Sequence, residues 1–338
     1  HYAAMAPLWK LLASAGQKTL TTTLVDLPWN HQCHDGYGAM VKYVRRADGT
    51  TAFDWSPFDD YVAFGRACGL GPHIACYTMC PWGYLVSWYD EAGKMQKAKA
   101  VPGTPFFREY WGPFLTAFAA HLKEKGWFED VYISLDERSP EDLRNTVDFL
   151  REKAPGLKIA MAGNRRPSEF KGIVVDSYSQ SLGHVTPDFL AEVPQRQKEG
   201  KVTTYYICCG PGKPNTFMDS ELDEAFWCGA YPAMCGLDGL LRWAYNSWPA
   251  DACADASYGS WRAGDTFLVY PDGSPSARFL ELLNGIQQAE KFNLLKAQGV
   301  RTGELAALAA KYDLKAALSK KDGDFRDLVK LTKDVLNK

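Results

Sequence analysis

Short apolar runs rich in β-branched residues alternate along the chain with longer segments that carry apolar residues at helical spacing. Each short run predicts a strand. The seven predicted strands span residues 19–26, 73–79, 131–137, 158–163, 173–178, 202–208 and 239–246. Strands that alternate with helices are typical of a parallel sheet with crossover helices, so we expect an α/β fold.

The most strongly marked helix is predicted directly after the third run. Ser139 can cap its first turn, Pro140 fits that turn, and the acidic Glu141 complements the helix dipole. A second helix is predicted over 106–126. After residue 270 the pattern is purely helical, and three helices are expected over 276–299, 304–314 and 324–338.

Seven strands are one short of a closed (β/α)8 barrel of the TIM type. Because the chain opens on a predicted helix that leads into a strand, we expect the first barrel strand to lie upstream of His1. We predict a catalytic barrel over residues 1–270 and a helical C-terminal segment over 271–338 that packs on the barrel. An open, doubly wound parallel sheet is the alternative architecture.

The composition narrows the classes of function. A formal net charge of −2 offers nothing that attracts nucleic acid or an anionic membrane, and no apolar run is long enough to span a bilayer. Nine cysteines, an odd number with one adjacent pair at Cys208 and Cys209, argue against a complete disulfide framework. We interpret them as small buried apolar residues. Aromatic residues form 13% of the chain and include 11 tryptophans, whose faces can stack on sugar rings.

The first residues are predicted to form an amphipathic helix and not a signal peptide. Pro7 and Lys10 interrupt the apolar stretch, and its pattern is helical. The sequence leaves the oligomeric state open and favours a secreted or periplasmic location.

Polar and large aromatic residues cluster at the carboxyl ends of the predicted strands, where (β/α) barrels have their active sites. They include Asp26, Trp82, Asp136, Glu137, Asn164, Tyr178, Trp243, Asn246 and Trp248. Carboxylates, amides and aromatic rings are the groups that a sugar site requires. The strand ends therefore favour carbohydrate chemistry.

The adjacent carboxylates Asp136 and Glu137 are the sharpest feature of the sequence. Glycoside hydrolysis usually requires two carboxyl groups that flank the scissile bond. Neighbours on an extended strand point to opposite faces, so both reach one site only if the strand ends there, as Ser139 predicts. On the residues alone, ion pairs with Arg138 or Arg144 are the stronger interpretation.

The adjacency of the two carboxylates also indicates a mechanism. Neighbouring residues seldom reach the separation that inverting or ordinary retaining hydrolases need, but they suit substrate-assisted hydrolysis. There the 2-acetamido oxygen of the sugar attacks the anomeric carbon. One carboxylate stabilises the resulting oxazolinium, and the other acts as general acid and then as general base.

Two other groups of residues give weaker signals. His31, Cys33 and His34 match no zinc-binding spacing, so we expect no metal, and we expect no cofactor either. The loop over 210–214 lacks the serine or threonine of a phosphate-binding loop, and its prolines remove N–H donors. We interpret it as a rigid active-site loop.

The chain resembles glycoside hydrolase family 123, the β-N-acetylgalactosaminidases, over nearly its whole length. The resemblance rests on TTTLVDLPW, CYTMCPW, ISLDE, YYICCGPGKPN, GLLRWAYNSWP, and GDTFLVYPDG followed by SARFLELLNGIQQAEKF. It implies a (β/α)8 barrel, usually preceded by an N-terminal β-sandwich, which we expect upstream of His1. It also implies a retaining, substrate-assisted mechanism in which Asp136 stabilises the acetamido group and Glu137 is the general acid and base. The implied substrates are terminal β-linked GalNAc residues of glycolipids or other glycans.

Further substrate contacts are predicted alongside this resemblance. Tyr178 is expected to align the acetamido oxygen, and Trp243 to form the floor of the sugar pocket. Contacts with sugar hydroxyls are expected from Tyr206, Asn215, Asn246 and Asp265, sugar stacking from Trp82, and a purely structural role from Asp26 and Arg66.

Three alternative functions stay open at the level of sequence. A β-N-acetylhexosaminidase of other specificity differs in the partner of one sugar hydroxyl, which spacing does not identify. A non-catalytic glycan-binding barrel would show no turnover. A metal-dependent hydrolase using His31 and His34 would lose activity with a chelator.

Overall fold

A computed structural model describes residues 2–319 and 325–338. Its helices are α1 (Tyr2–Ser14), α2 (Ser56–Ala67), α3 (Pro105–Glu124), α4 (Pro140–Lys153), α5 (Pro187–Lys198), α6 (Leu222–Cys235), α7 (Ala277–Ala297), α8 (Thr302–Ala309), α9 (Leu314–Ser319) and α10 (Arg326–Leu336). Its strands are β1 (Thr19–Thr23), β2 (Lys42–Arg45), β3 (Thr51–Asp54), β4 (His73–Tyr77), β5 (Leu85–Tyr89), β6 (Met95–Lys99), β7 (Val131–Leu135), β8 (Lys158–Gly163), β9 (Ser177–Ser181), β10 (Val202–Ile207) and β11 (Gly239–Arg242).

Seven strands form one sheet in the order β1, β4, β7, β8, β9, β10, β11. Helices α2 to α6 connect successive strands of this sheet, except that a 3-10 helix over Pro167–Glu169 lies between β8 and β9. The strand order follows the chain without reversal. A doubly wound sheet reverses its order at a switch point, so this alternative is wrong. The α/β fold of TIM-barrel type is confirmed.

All seven predicted strands are present; β8 has the predicted bounds, four strands end one to three residues early, and two differ more. The strand predicted over 173–178 begins only at Ser177. Just before it, Asp176 bonds to Ile159 through both its side chain, at 2.8 Å, and its backbone N–H, at 2.9 Å, which replaces a regular strand ladder. The strand predicted over 239–246 ends at Arg242, so its aromatic continuation forms a loop.

The described chain divides into two compact units. The first contains residues up to Gln32, Gly36–Met161 and Phe170–Asp176. The second contains Cys33–Asp35, Ala162–Glu169 and the described residues from Ser177 onward. Helices α7 to α10 belong to the second unit. The boundary between barrel and helical segment at residue 270 stays a prediction.

The first unit has a second, four-stranded sheet that the sequence pattern did not predict. Its order is β3, β2, β5, β6, with β2 and β5 parallel and the two outer pairs antiparallel. All four strands lie in the segments that follow β1 and β4. Tyr43 and Trp88 of this sheet contact Tyr110 of α3 at ring separations of 4.7 and 6.3 Å. The segments that follow β1 and β4 in the sequence are therefore folded into a sheet of their own.

Strand β7 and helix α4 position the predicted catalytic pair. All five residues of β7 are buried, which anchors the strand in the core. Ser139 is the N-cap of α4, as predicted, and its hydroxyl accepts a hydrogen bond from the first turn at 3.1 Å. Asp136 and Glu137 consequently lie in the short connection between the buried strand and the capped helix.

In the second unit, helices α6 and α7 cross at a pair of glycines. A Cβ atom at Gly229 would lie 2.3 Å from the carbonyl oxygen of Leu282, and one at Gly285 would lie 2.1 Å from that of Phe226. Both distances are far below van der Waals contact, so the backbones approach this closely only without side chains. Of the last predicted helix, Asp324 lies outside the described residues, and the rest contains α10.

Candidate active site

Asp136 and Glu137 have different surroundings. Asp136 is partly buried, and its Oδ2 atom is inaccessible to solvent, whereas Glu137 is exposed. Both residues lie beyond the last residue of β7, in the connection to α4, where the first side chain is more enclosed than the second.

The carboxylate of Asp136 has one unsatisfied oxygen. Its buried Oδ2 atom has no hydrogen-bond partner, while the side chain of Trp82 acts on the carboxylate as a hydrogen-bond donor. Burial raises the pKa of Asp136 to about 7, against the lowering effects of the Trp82 hydrogen bond and of the Arg138 charge. The negative charge of Glu137 adds to the increase. A desolvated carboxylate with an unused oxygen is typical of a functional group.

Arg138 lies between two aromatic rings beside the pair. Its guanidinium carbon is 4.9 Å from the ring centre of Trp82 and 4.5 Å from that of Tyr84. Tyr84 is itself fixed, because its hydroxyl donates to the carboxylate of Asp142 in α4 at 2.9 Å. Cation–π packing thus restrains the positive charge that acts on Asp136.

Asp26 and Arg66 make polar contacts within the first unit. Asp26 accepts hydrogen bonds from the backbone N–H of Ala39 at 2.9 Å and from the hydroxyl of Ser87. Arg66 forms an ion pair with Asp130 at 2.6 Å. Each of these contacts joins segments that are well separated in the sequence.

The second unit contains a buried polar cluster around Asp265, which is 0% exposed. Its Oδ1 atom accepts hydrogen bonds from Arg242 and from the indole N–H of Trp243, both at 2.8 Å. Arg242 also donates to the hydroxyl of Thr216 and to the carbonyl of Ile207, both at 3.2 Å. The Oδ2 atom of Asp265 is buried without a hydrogen-bond partner. The ion pair therefore leaves one acceptor unused.

Tyr178 and Asn215 support loops of the second unit. Tyr178 lies near the start of β9, not at a strand end, and its buried side chain donates a hydrogen bond to the carbonyl of Arg165. The fully buried Asn215 donates to the carbonyls of Cys208 at 2.9 Å and Pro211 at 2.7 Å. These contacts stabilise the chain itself, and a sugar contact by either residue stays a prediction.

The remaining predicted contact residues are less tightly enclosed. Trp82, Trp243 and Asn246 are partly exposed, whereas Tyr206 in β10 is 6% exposed. Trp248 is also partly exposed, and its indole N–H donates to the carbonyl of Val269 at 2.7 Å. Trp82, Trp243 and Trp248 thus all retain accessible surface.

His31, Cys33 and His34 show no metal-binding arrangement. Cys33 is buried, whereas both histidines are exposed, and His34 pairs with Asp35 at 3.4 Å. Within residues 2–319 and 325–338, no cluster of three or more His, Cys, Asp or Glu side chains is suited to holding a metal ion. In the same part of the chain, no helix combines the length and apolar character needed to cross a bilayer.

Comparisons with known proteins identify one family. The family model described as the catalytic domain of glycoside hydrolase 123 matches residues 1–295. Among solved structures, a family 123 glycoside hydrolase from Clostridium perfringens, described in terms of glycolipid glycan hydrolysis, is 27% identical with a TM-score of 0.86. The match covers 98% of this chain but 64% of that protein, so this chain corresponds to less than two thirds of its length. Proteins of curated function give no match.

Other solved glycoside hydrolases are much more distant. A GH39 enzyme from Xanthomonas axonopodis pv. citri is 11% identical with a TM-score of 0.46, covering 83% of this chain and 63% of that one. A family 5 glycoside hydrolase from Bacteroides vulgatus is 10% identical with a TM-score of 0.44, covering 86% and 63%. The family match, by contrast, extends over most of the chain, and the protein therefore belongs to glycoside hydrolase family 123.

Proposed function

We propose that this chain catalyses the release of terminal β-linked N-acetylgalactosamine from glycans or glycolipids, with retention of configuration and with the substrate's acetamido group as nucleophile. Membership of family 123 supports glycoside hydrolysis. The observation that favours the substrate-assisted mechanism is the carboxylate of Asp136, whose buried Oδ2 atom has no partner in the protein.

An acetamido N–H is a suitable donor for this oxygen. A buried acceptor without a partner costs about 1–3 kcal/mol, and a ligand N–H at this position recovers part of that cost. The pKa of Asp136 is raised to about 7, so protonated and ionised forms coexist near neutral pH. The ligand N–H and the positive charge of the oxazolinium both favour the ionised form. Asp136 therefore acts by stabilising charge in the transition state.

Glu137 is the general acid and base in this proposal, because it is the exposed member of the pair. In the first step the acetamido oxygen bonds to the anomeric carbon, the glycosidic bond breaks, and Glu137 gives its proton to the leaving oxygen. In the second step Glu137 takes a proton from water, whose oxygen attacks the anomeric carbon and reopens the oxazolinium ring. Two successive displacements retain the configuration.

Further residues are proposed as partners of the sugar hydroxyls. The unused Oδ2 atom of Asp265 is a buried acceptor that suits a hydroxyl donor. Trp243, which is hydrogen-bonded to Asp265, presents a partly exposed ring for an apolar sugar face. Asn246 and Tyr206 are proposed as further hydroxyl partners. Trp82, which lowers the pKa of Asp136 as a hydrogen-bond donor, is partly exposed and is proposed to stack on the sugar.

Glycolipids are the proposed natural substrates. The Clostridium perfringens relative is described in terms of glycolipid glycan hydrolysis, and it is similar to this chain over 98% of the chain's length. This similarity supports the substrate class and leaves the linkage and the aglycone to experiment.

Paired chromogenic aryl glycosides of β-GalNAc and β-GlcNAc test the proposal. We expect a higher kcat/KM for the β-GalNAc substrate, with the β-anomer as the first product detected by NMR, and strong loss of turnover in Asp136→Asn and Glu137→Gln. A preference for β-GlcNAc would indicate a hexosaminidase of other specificity. Binding of both sugars without turnover would indicate a glycan-binding barrel.

A further inference from the structure

The adjacent thiols of Cys208 and Cys209 have no role in the proposed hydrolysis. They follow directly on β10, and their Sγ atoms are 3.8 Å apart. Cys209 is exposed and Cys208 is partly exposed, whereas most of the other cysteines are buried. An oxidant in solution can therefore reach this pair directly.

The backbone around the two thiols is fixed by the Asp265 cluster and by Asn215. Arg242 donates to the carbonyl of Ile207 at 3.2 Å, and Asn215 donates to the carbonyl of Cys208 at 2.9 Å. The backbone N–H of Cys208 bonds to the Gly210 carbonyl at 3.4 Å, which closes a tight turn. The thiols therefore follow directly on the Ile207 carbonyl, which Arg242 binds, and lie on a loop that Asn215 restrains.

We propose that a low-molecular-weight disulfide, such as glutathione disulfide, oxidises Cys208 and Cys209 so that they form a reversible vicinal disulfide with each other. This oxidation weakens sugar binding because it displaces the Arg242–Asp265–Trp243 cluster. The modification site stands on the geometry of the pair alone. Its effect on sugar binding rests on the proposed function.

Glutathione disulfide is the oxidant, and it takes up the electrons that the two thiols lose. The Cys209 thiolate attacks one sulfur of glutathione disulfide, forms a mixed disulfide and releases one glutathione. The Cys208 thiolate then attacks the Cys209 sulfur, which forms the intramolecular bond and releases the second glutathione. The two thiols lose two electrons and two protons, and glutathione disulfide is reduced to two molecules of glutathione.

The geometry of adjacent cysteines makes such a bond easy to reduce. Consecutive Cα atoms lie about 3.8 Å apart across a trans peptide, below the roughly 4.4–6.8 Å that disulfides favour. The bond is therefore strained, and strained, exposed disulfides are the labile and regulatory ones. Burial and the neighbouring Cys208 raise the pKa of Cys209 to about 11, which slows the attack at neutral pH.

One residue, Arg242, connects this reaction to the Asp265 cluster. The charge of Asp265 also contributes to the raised pKa of Cys209. Arg242 binds both the Ile207 carbonyl and the Asp265 carboxylate. Closing the Sγ–Sγ gap of 3.8 Å to a covalent bond must move the Cys208–Cys209 peptide, and Arg242 transmits that shift to Asp265 and Trp243.

Peptide mass spectrometry of the full chain tests the modification. After incubation with glutathione disulfide at about pH 8.5, where more of the thiol is ionised, and alkylation of the remaining thiols, the peptide with Cys208 and Cys209 should lack two hydrogens and any alkyl group. Cys209→Ser should abolish this product, and Cys253→Ser, which removes another exposed thiol, should not. A stable glutathione adduct at Cys209, or full alkylation of both thiols, would overturn the proposal.

Steady-state kinetics on the β-GalNAc substrate test the effect on binding. The oxidised chain should show a several-fold higher KM with little change in kcat, as expected when a hydrogen bond to substrate is weakened, and dithiothreitol should restore it. The KM of Cys209→Ser should not respond to the oxidant. An unchanged KM in fully oxidised protein overturns the link to the cluster. A reduced chain without any hydrolysis overturns the proposed function, while the mass result still decides the modification.

Discussion

Asp136→Asn is expected to inactivate the protein while making it relatively more stable as the pH rises. Asparagine keeps the size of the side chain and an acceptor for the Trp82 hydrogen bond, but it removes the charge. Loss of the charge that stabilises the oxazolinium should lower kcat/KM by about two to three decades for every leaving group. The same charge is unfavourable in the folded protein because the carboxylate is buried.

The size of the stability effect follows from the pKa of Asp136, which burial raises from 3.8 to about 7. Between these values the folded protein holds a proton that the unfolded chain has lost. The stabilisation is therefore fully present below pH 3.8 and is lost as the pH rises through about 7. Between about pH 5 and about pH 8, the loss occurs over the roughly two pH units below the folded pKa of about 7, which corresponds to about 3 kcal/mol of unfolding free energy. Asparagine does not titrate, so the variant does not lose this stabilisation.

Urea unfolding of both proteins at about pH 5 and about pH 8 measures this difference. The stability of the variant minus that of the natural chain should rise by about 3 kcal/mol, since any fixed cost of burying the amide cancels in the comparison. Glu137→Gln is the matched control, because it removes the neighbouring exposed carboxylate. A variant that becomes relatively less stable at the higher pH would refute the reasoning, because Asp136 would then be a stabilising ion-pair partner of Arg138.

Three further substitutions test other parts of the structure. Glu137→Gln should reduce kcat severely for poor leaving groups and less for aryl groups that leave without protonation, and an equal loss across a leaving-group series would contradict its role as general acid. Trp82→Phe removes a hydrogen bond that lowers the pKa of Asp136. The pH at which kcat/KM falls on acidification should therefore rise. An unchanged acidic limb of the pH profile would argue against that bond. Gly285→Ala should destabilise the chain by about 1–3 kcal/mol or more, whereas a Cβ at Gly303 meets nothing within 4 Å. Equal thermal stability of Gly285→Ala and Gly303→Ala would contradict the close helix crossing.

The strands of the parallel sheet were predictable because each is a short apolar run between helical segments. The small sheet was not, because its strands mix charged, polar and aromatic residues, as in KYVR and MQKAK, and occupy segments that follow β1 and β4. Their pairing depends on contacts with α3, far away in the sequence. The late start of β9 was also hidden, because the side chain of Asp176 replaces backbone pairing there.

The part of the candidate site that lies within one short segment of the sequence was predictable. The Ser139 cap and the apolar strand before it place Asp136 and Glu137 at a strand end. Arg242 was missed, because its buried ion pair with Asp265 spans 23 residues that follow no spacing rule. The only local signal is a charged residue that ends the apolar strand GLLR.

The side chain of Arg138 shows the same limit. Its neighbour in the sequence suggests an ion pair, but its position between Trp82 and Tyr84 depends on the segment after β4. Asn215 likewise looks like a sugar ligand in the sequence, and its amide is engaged by two loop carbonyls in the structure. Tertiary contacts decide which polar groups already have hydrogen-bond partners. The spacing of residues in the sequence does not show this.

The central claim is that the substrate's acetamido group is the nucleophile and that Asp136 and Glu137 assist it. The most direct test compares kcat/KM for two aryl β-galactosides with the same leaving group, one with a 2-acetamido group and one with a 2-hydroxyl group. We predict ready hydrolysis of the first and negligible hydrolysis of the second, because the second lacks the nucleophile. Equal hydrolysis of both would contradict the mechanism and would assign the two carboxylates to a different scheme.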